Sequence, residues 1–516
     1  LPGQSGAASF AIGPRVAWLV LVLAGTASGG PPWAGPIAGG PQTEALRTTE
    51  DTFPPGTWIG DRVIADPAQS SDGSFPSDAE IVVDDGSAQP LADPRELSQV
   101  AGDFSPRVRP LPTWFDRVSV GYDDGFVIAS RGPDDLDSQP APYLLRINGW
   151  GQLRRTFFES ANENPDLDQF QLKRGRLVLS GHAFTPDFSY FLQIDARSTS
   201  GDDIRMLDYY VNYDLGHHFW DAKAGALTFE AGRFKVPFNL ARWLTAREFQ
   251  FADRSVASMF FDVNRSIGWK FSGNLPETTQ PWHWSVSTFN GLVTGGAETG
   301  ASEQLDDNPA YSARFWGYPI GQWGSSELSD FEWHEQIATR VGCGFATSSI
   351  SRRGRTEFSE LTVVDSGLPL GNILPHSVDQ YTTYQYCMDG SLKYRGWSAT
   401  LEYYFRYINQ FEGGHSSIPG LFDQGFWLQF GRFIVPERVE LIARWSRVQG
   451  DSGTLGLRNQ SADEVAGAFA WYSRRQNAKL VCDLTHINGA PIESSALDMQ
   501  PGDNGWFFRM QLQYAF

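Results

Sequence analysis

Between Arg233 and Lys270 seven basic residues (Arg233, Lys235, Arg242, Arg247, Arg254, Arg265 and Lys270) face three acidic ones (Glu248, Asp253 and Asp262), a local excess of four positive charges. Fixed positive groups at this density lower the cost of a partly dehydrated anion, and a guanidinium presents parallel N–H donors that match its oxygens. Enzymatic chemistry has no comparable footing, and no enzyme is expected. The chain contains no G-x-x-x-x-G-K-[ST], H-E-x-x-H or G-x-S-x-G motif. His334-Glu335 lacks a second histidine at the required offset. On an extended strand His217 and His218 would point to opposite faces, so a turn is the expected setting and a metal pair is not. Asp202-Asp203 reads as a solvated turn. Cys343, Cys387 and Cys482 have no metal-site spacing and read as small hydrophobes in strands. No cofactor, metal or nucleic acid is implied.

The basic stretch interrupts a regular pattern. Ala231-Gly-Arg-Phe-Lys-Val-Pro-Phe ends a strand at Pro237, because proline cannot continue a β-ladder. Residues 241–255 alternate too poorly to face lipid, and a new strand begins near Asn264. Irregular backbone at membrane depth is tolerated where it lines a water-filled cavity, so this loop is expected to fold inward and narrow a pore.

The surrounding elements alternate strictly. At the carboxyl end Trp506, Phe508, Met510, Leu512, Tyr514 and Phe516 share one face, while Phe507, Arg509, Gln511, Gln513 and Ala515 share the other. Eleven alternating residues match a tilted bilayer-crossing strand. Similar runs occupy 174–180, 188–197, 208–214, 398–407, 437–448, 464–473 and 478–487. About sixteen fit between Tyr143 and Phe516. Their polar faces suit a wet lumen. The expected fold is all-β, a closed antiparallel transmembrane β-barrel of about sixteen strands with an inward-folded constriction loop.

Composition agrees. Aromatic residues make up 14% of the 516, with 18 Trp and 36 Phe, yet mean hydropathy is −0.32. Strands that show every second residue to water hide from hydropathy averages. Residues 1–28 read as a signal peptide, with an apolar core at Val16–Ala24. Residues 29–118 form an acidic, Pro/Gly-rich segment, expected to be disordered and periplasmic, and the barrel occupies 119–516. Between Pro31 and Pro142 there are 19 acidic and 7 basic residues, so that stretch carries −12 of the formal charge of −19.

The runs G-R-F-K-V-P-F, R-E-F-Q-F-A-D-R-S and N-R-S-I-G-W-K, with G-Y-D-D-G-F-V-I, L-R-I-N-G-W-G-Q-L and F-Q-L-K-R-G-R-L-V-L-S-G upstream, resemble the phosphate-selective porin O and P family. The resemblance spans about Gly121 to Phe271. It implies a trimeric sixteen-stranded outer-membrane channel whose third external loop folds inward and whose Arg and Lys side chains relay anions. On that basis the anion-pathway candidates are Lys235, Arg242, Arg247 and Arg254 on the loop, with Arg174, Arg176, Arg233 and Arg265 on the adjacent wall. Glu248 and Asp253 could instead neutralise Arg247 and Arg254. Lys173 falls on the lipid register and reads as a snorkelling side chain. The implied partners are inorganic phosphate or other small anions, outer-membrane lipid, and two further copies of the chain. Alternatives on the same scaffold are a non-selective or cation- and sugar-permeable porin, or a surface adhesion or structural barrel with long loops at 361–377 and 412–424.

Overall fold

The computed structural model describes residues 118–130, 141–198, 203–275, 281–292, 305–364, 369–413, 420–450, 460–492, 494 and 497–516. The expected signal peptide and acidic segment lie outside these residues, apart from Val118.

Alternating apolar and polar side chains make each strand two-faced, and closure of the sheet buries one face of every strand at once. A short hairpin, β1 (Val118–Tyr122) and β2 (Phe126–Ser130), precedes sixteen longer strands. These are β3 (Leu144–Ser160), β4 (Leu167–Ala183), β5 (Thr185–Arg197), β6 (Asp203–Asp214), β7 (Thr228–Lys235), β8 (Arg265–Asn274), β9 (Trp282–Asn290) and β10 (Pro309–Ile320). They continue with β11 (Ala338–Ser351), β12 (Val378–Tyr394), β13 (Trp397–Gly413), β14 (Leu421–Val435), β15 (Val439–Gly450), β16 (Ser461–Arg474), β17 (Ala478–Asn488) and β18 (Asn504–Ala515). Each pairs antiparallel with its sequence neighbour from β3 onward, and β18 pairs with β3 from Gly505↔Ser160 to Ala515↔Trp150. The barrel is therefore closed and sixteen-stranded, as the alternation predicts. Beyond the last residues of β18, β2 takes over the edge of β3 at Leu144–Ile147.

The final strand displays the two faces read from its sequence. Trp506, Phe508, Met510, Leu512 and Tyr514 are exposed, whereas Phe507, Arg509, Gln511 and Gln513 are buried. Exposed aromatics gather near both rims. Tyr143, Phe184, Phe219, Trp220, Trp397 and Phe516 mark the terminal end, where the last residue lies, and Phe170, Tyr311, Tyr407 and Trp506 mark the far end. Among the described residues no helix is long and apolar enough to cross a membrane. The cysteines lie in β11, β12 and β17, and all three are free thiols.

Among the described residues four connections fold into the barrel; one of them, between β11 and β12 at the far end, packs Phe358, Leu361, Val363, Leu370 and Leu374 against Tyr381, Ile408 and Phe411. Residues 236–264 enter from the far end, between β7 and β8, as does 489–503, between β17 and β18. Residues 321–337 enter from the terminal end, between β10 and β11.

Candidate functional site: an inward-folded basic constriction

β7 stops at Lys235, and the chain then forms three short helical pieces. They are α2 (Leu240–Trp243), a 3-10 turn (Ala246–Glu248) and α3 (Val256–Phe260); α1 (Leu215–Trp220) lies earlier, in the β6–β7 connection. The side chain of Asn239 caps α2 by accepting from Arg242 N at 2.9 Å, and that of Ser255 caps α3 by accepting from Ser258 N at 3.2 Å. Val236, Phe238, Leu240, Leu244, Phe249, Val256, Phe260 and Phe261 bury themselves in one apolar cluster beneath the wall.

An irregular backbone buried this deeply needs partners for its polar groups, and the wall supplies them. Glu402 of β13 accepts from Leu240 N at 2.6 Å and Ala241 N at 3.1 Å. Glu464 accepts from Val256 N, Ser446 Oγ from Ala257 N, and Asp483 from Ala252 N. From below, Lys479 Nζ donates to the carbonyls of Arg247 (2.7 Å) and Phe249 (2.6 Å). Glycine makes room for this contact. A Cβ on Gly344 of β11 would lie 1.9 Å from the Phe238 carbonyl oxygen.

The charged groups sort into clamps and a surplus. Asp253 is held by Arg154 and, at 2.8 Å, by Arg174, both on the wall. Arg242 pairs with Asp262, Arg176 with Asp195 (3.1 Å) and Arg265 with Asp208 (2.6 Å). Lys235 and Arg254 differ. Lys235 Nζ donates to the carbonyls of Trp243 and Leu244, and Arg254 to those of Ala241 and Leu244. Neither forms an ion pair among the described residues. Arg254 also lies 4.5 Å over the Phe249 ring. Arg233 is buried in β7, and Arg247 is half-buried at the deep tip of the loop.

Three sequence readings are corrected. Asp253 does not neutralise its neighbour Arg254 but bonds the wall guanidiniums, and Glu248 forms no ion pair with Arg247 among the described residues. Lys173 is not a lipid-side snorkel. A bulge opposite Gln152 and Leu153 inserts one extra residue, which turns Lys173 inward to meet Asp498 at 2.8 Å. His217 and His218 sit on α1, in a connection as expected, but both rings turn to one carboxylate: Nδ1 of each lies 2.6 and 3.5 Å from Asp187. That hydrogen bond and the charge of Asp187 raise the His217 pKa above its ordinary value.

The inward connection at 321–337 was missed. Its signal was present: Glu327, Asp330, Glu332 and Glu335 with no Lys or Arg, interleaved with Leu328, Phe331 and Trp333. Phe331 wedges between Phe433 and Tyr472, with ring centroids 5.0 and 4.8 Å away. Lys393 of β12 donates to the carbonyls of Trp323 and Ser326. Asp330, Glu332 and His334 converge closely enough to hold a metal ion, but internal bonds already use most of their ligand atoms. Asp330 accepts from His334 and from Gly396 N, and Glu332 accepts from Ser325 N and Oγ. Burial would raise the Asp330 carboxyl, yet these donors hold it below its ordinary pKa.

Residues 152–315 match the family model described as phosphate-selective porin O and P. No curated protein matches the chain. Among solved structures the barrel is similar to OmpT of Vibrio cholerae, with 8% identity and a TM-score of 0.44, covering 73% of this chain and 99% of that one. It is also similar to the outer-membrane channel DcaP of Acinetobacter baumannii, with 11% identity and a TM-score of 0.43 over 73% and 99% of the two chains. OprB of Pseudomonas putida shows 11% identity and a TM-score of 0.45 over 73% and 94%. The matched segment contains the whole inward loop, so it is this part of the closed sixteen-stranded barrel that is similar to the phosphate-selective porin O and P family.

Proposed function

We propose that this porin is a passive diffusion channel with a preference for small anions, inorganic phosphate among them, and that it works as a homotrimer. Lys235 and Arg254 carry the reading. Both are cations bonded only to backbone carbonyls among the described residues, beside Arg174, Arg176, Arg242 and Arg265, whose charges are answered by carboxylates. Such a pair supplies net positive field without one deep binding site, which suits passage better than capture. Arg233 and Arg247 are assigned to the same pathway. We assign residues 1–28 to a cleaved signal peptide and 29–118 to a periplasmic tether.

Planar-bilayer recording in a KCl gradient tests the preference. The expected reversal potential favours Cl⁻, and Lys235→Glu with Arg254→Glu reverses or abolishes it while the barrel remains folded. A wild-type potential that favours K⁺ refutes anion preference. It would support the second reading, a cation- or solute-permeable porin, which the four carboxylates of 321–337 favour. Cross-linking in native membranes tests the trimer.

A further inference from the structure

A second set of groups lies under the root of the constriction loop, away from the basic cluster. Asp389 and Glu402 are direct cross-strand partners on β12 and β13, as are Cys387 and Tyr404. All four side chains are buried on the inner face. Like charges directly opposite each other in a sheet are destabilising, and more so away from water. One ligand atom each from Cys387, Asp389 and Glu402 lies within 4.8 Å of the others. Cys387 Sγ is 3.0 Å from Glu402 Oε1. Asp389 Oδ2 is taken by Arg314 at 2.6 Å, while Asp389 Oδ1 is buried without a hydrogen-bond partner among the described residues. A side chain at Gly342 would strike Asp389.

We propose that Cys387, Asp389 and Glu402 bind one divalent metal ion of the zinc type, which pins the root of the loop to the wall. The donor set of one thiolate and two carboxylate oxygens suits a borderline-soft dication. Charge closes as well. Arg314 answers one carboxylate and leaves one negative charge buried; the dication together with a thiolate cancels it. On binding, the thiol proton leaves for solvent and Sγ takes the metal in its place. Glu402 holds the amides of Leu240 and Ala241, and Arg314 Nη1 donates to the Phe238 carbonyl at 2.9 Å. The ion would therefore fix the carboxylate and guanidinium that anchor the loop, not the permeation path itself.

The test is to fold the full chain in detergent with Co(II) and then desalt it. The expected result is about one cobalt per chain, with a thiolate-to-cobalt charge-transfer absorption. Cys387→Ser should abolish the absorption and lower retained cobalt by at least about tenfold. Cys343→Ser and Cys482→Ser, on the outer face, should change neither. Wild-type protein that retains no cobalt, or retains it without the sulfur band, overturns the proposal and leaves a proton shared by Asp389 and Glu402. Equal retention and an equal band in Cys387→Ser overturn it too. Should Cys387→Ser not fold, the wild-type spectrum decides alone, and Asp389→Asn, nearly isosteric, should weaken retention.

Discussion

The two inward connections between β7 and β8 and between β10 and β11 are built from opposite materials. Residues 236–264 carry three basic and three acidic side chains, whereas 321–337 carry four acidic and no basic ones, histidine aside. The first segment is formally neutral, yet it sits in a positive neighbourhood, because Asp253 and Asp262 serve as clamps while Lys235 and Arg265 are supplied by the flanking strands. The second keeps its charge, relieved by Arg340 on Glu327 and by Lys393. They meet at Glu440 of β15, which accepts from Gln250 of one segment and, at 2.9 Å, from Ser329 of the other. A segment's own composition is thus a poor guide to the field it makes. What counts is which charges the wall consumes.

The contrast breaks most severely at Asp253. Asp253→Ala leaves Arg154 and Arg174 buried without their shared carboxylate, a loss of about 3–5 kcal/mol. Thermal melting in detergent should show the drop, and single-channel conductance should rise as the loop loosens. An unchanged melting temperature would mean that the apolar cluster alone holds the segment. On the other side, Phe331→Ala removes an aromatic wedge at a cost of about 3 kcal/mol. Residues 321–337 should become protease-sensitive while ion selectivity keeps its sign.

The inward connection between β11 and β12 supplies a pH control. Glu357, on α4 (Arg355–Glu360) between β11 and β12, is pushed up to about 8 by burial and by the nearby charge of Asp306. Its raised pKa means that the packed state holds the proton. Stability should therefore fall as pH rises from about 4.5, the unperturbed glutamate value, to about 8, and then level off. Hydrogen exchange at 357–363 across that range measures it, and Glu357→Gln should flatten the profile. The smallest effect belongs to Glu327→Gln with Glu335→Gln. Neutralising these two should raise anion preference by less than about twofold, and an unchanged preference would place the acidic segment off the ion path.

Much of the architecture was legible from the chain because period-two alternation has one cause in every strand. Trp506 to Phe516 displayed both faces before any partner was known, and Pro237 marked where the wall gives way to the loop. Lys173 shows the limit. A single bulge changes the face of one residue, and a count of alternate positions carries no trace of it. Within the site, neighbours in sequence suggested Asp253 with Arg254, whereas closure of the barrel brings Arg154 and Arg174 to Asp253 instead. The group at Cys387, Asp389 and Glu402 was equally invisible, since its members join only through the register of β12 against β13.

The seam between β3 and β18 joins Ser160 to Gly505. That contact spans the whole barrel sequence, and β3 cannot find its mate until every strand between it and β18 has been synthesised. Until then β3 offers an unsatisfied border to any passing strand, a hazard for a chain that must travel to its membrane before it closes. Part of that border can be covered early: β2 lies only fourteen residues upstream of β3 and takes the stretch that β18 never reaches.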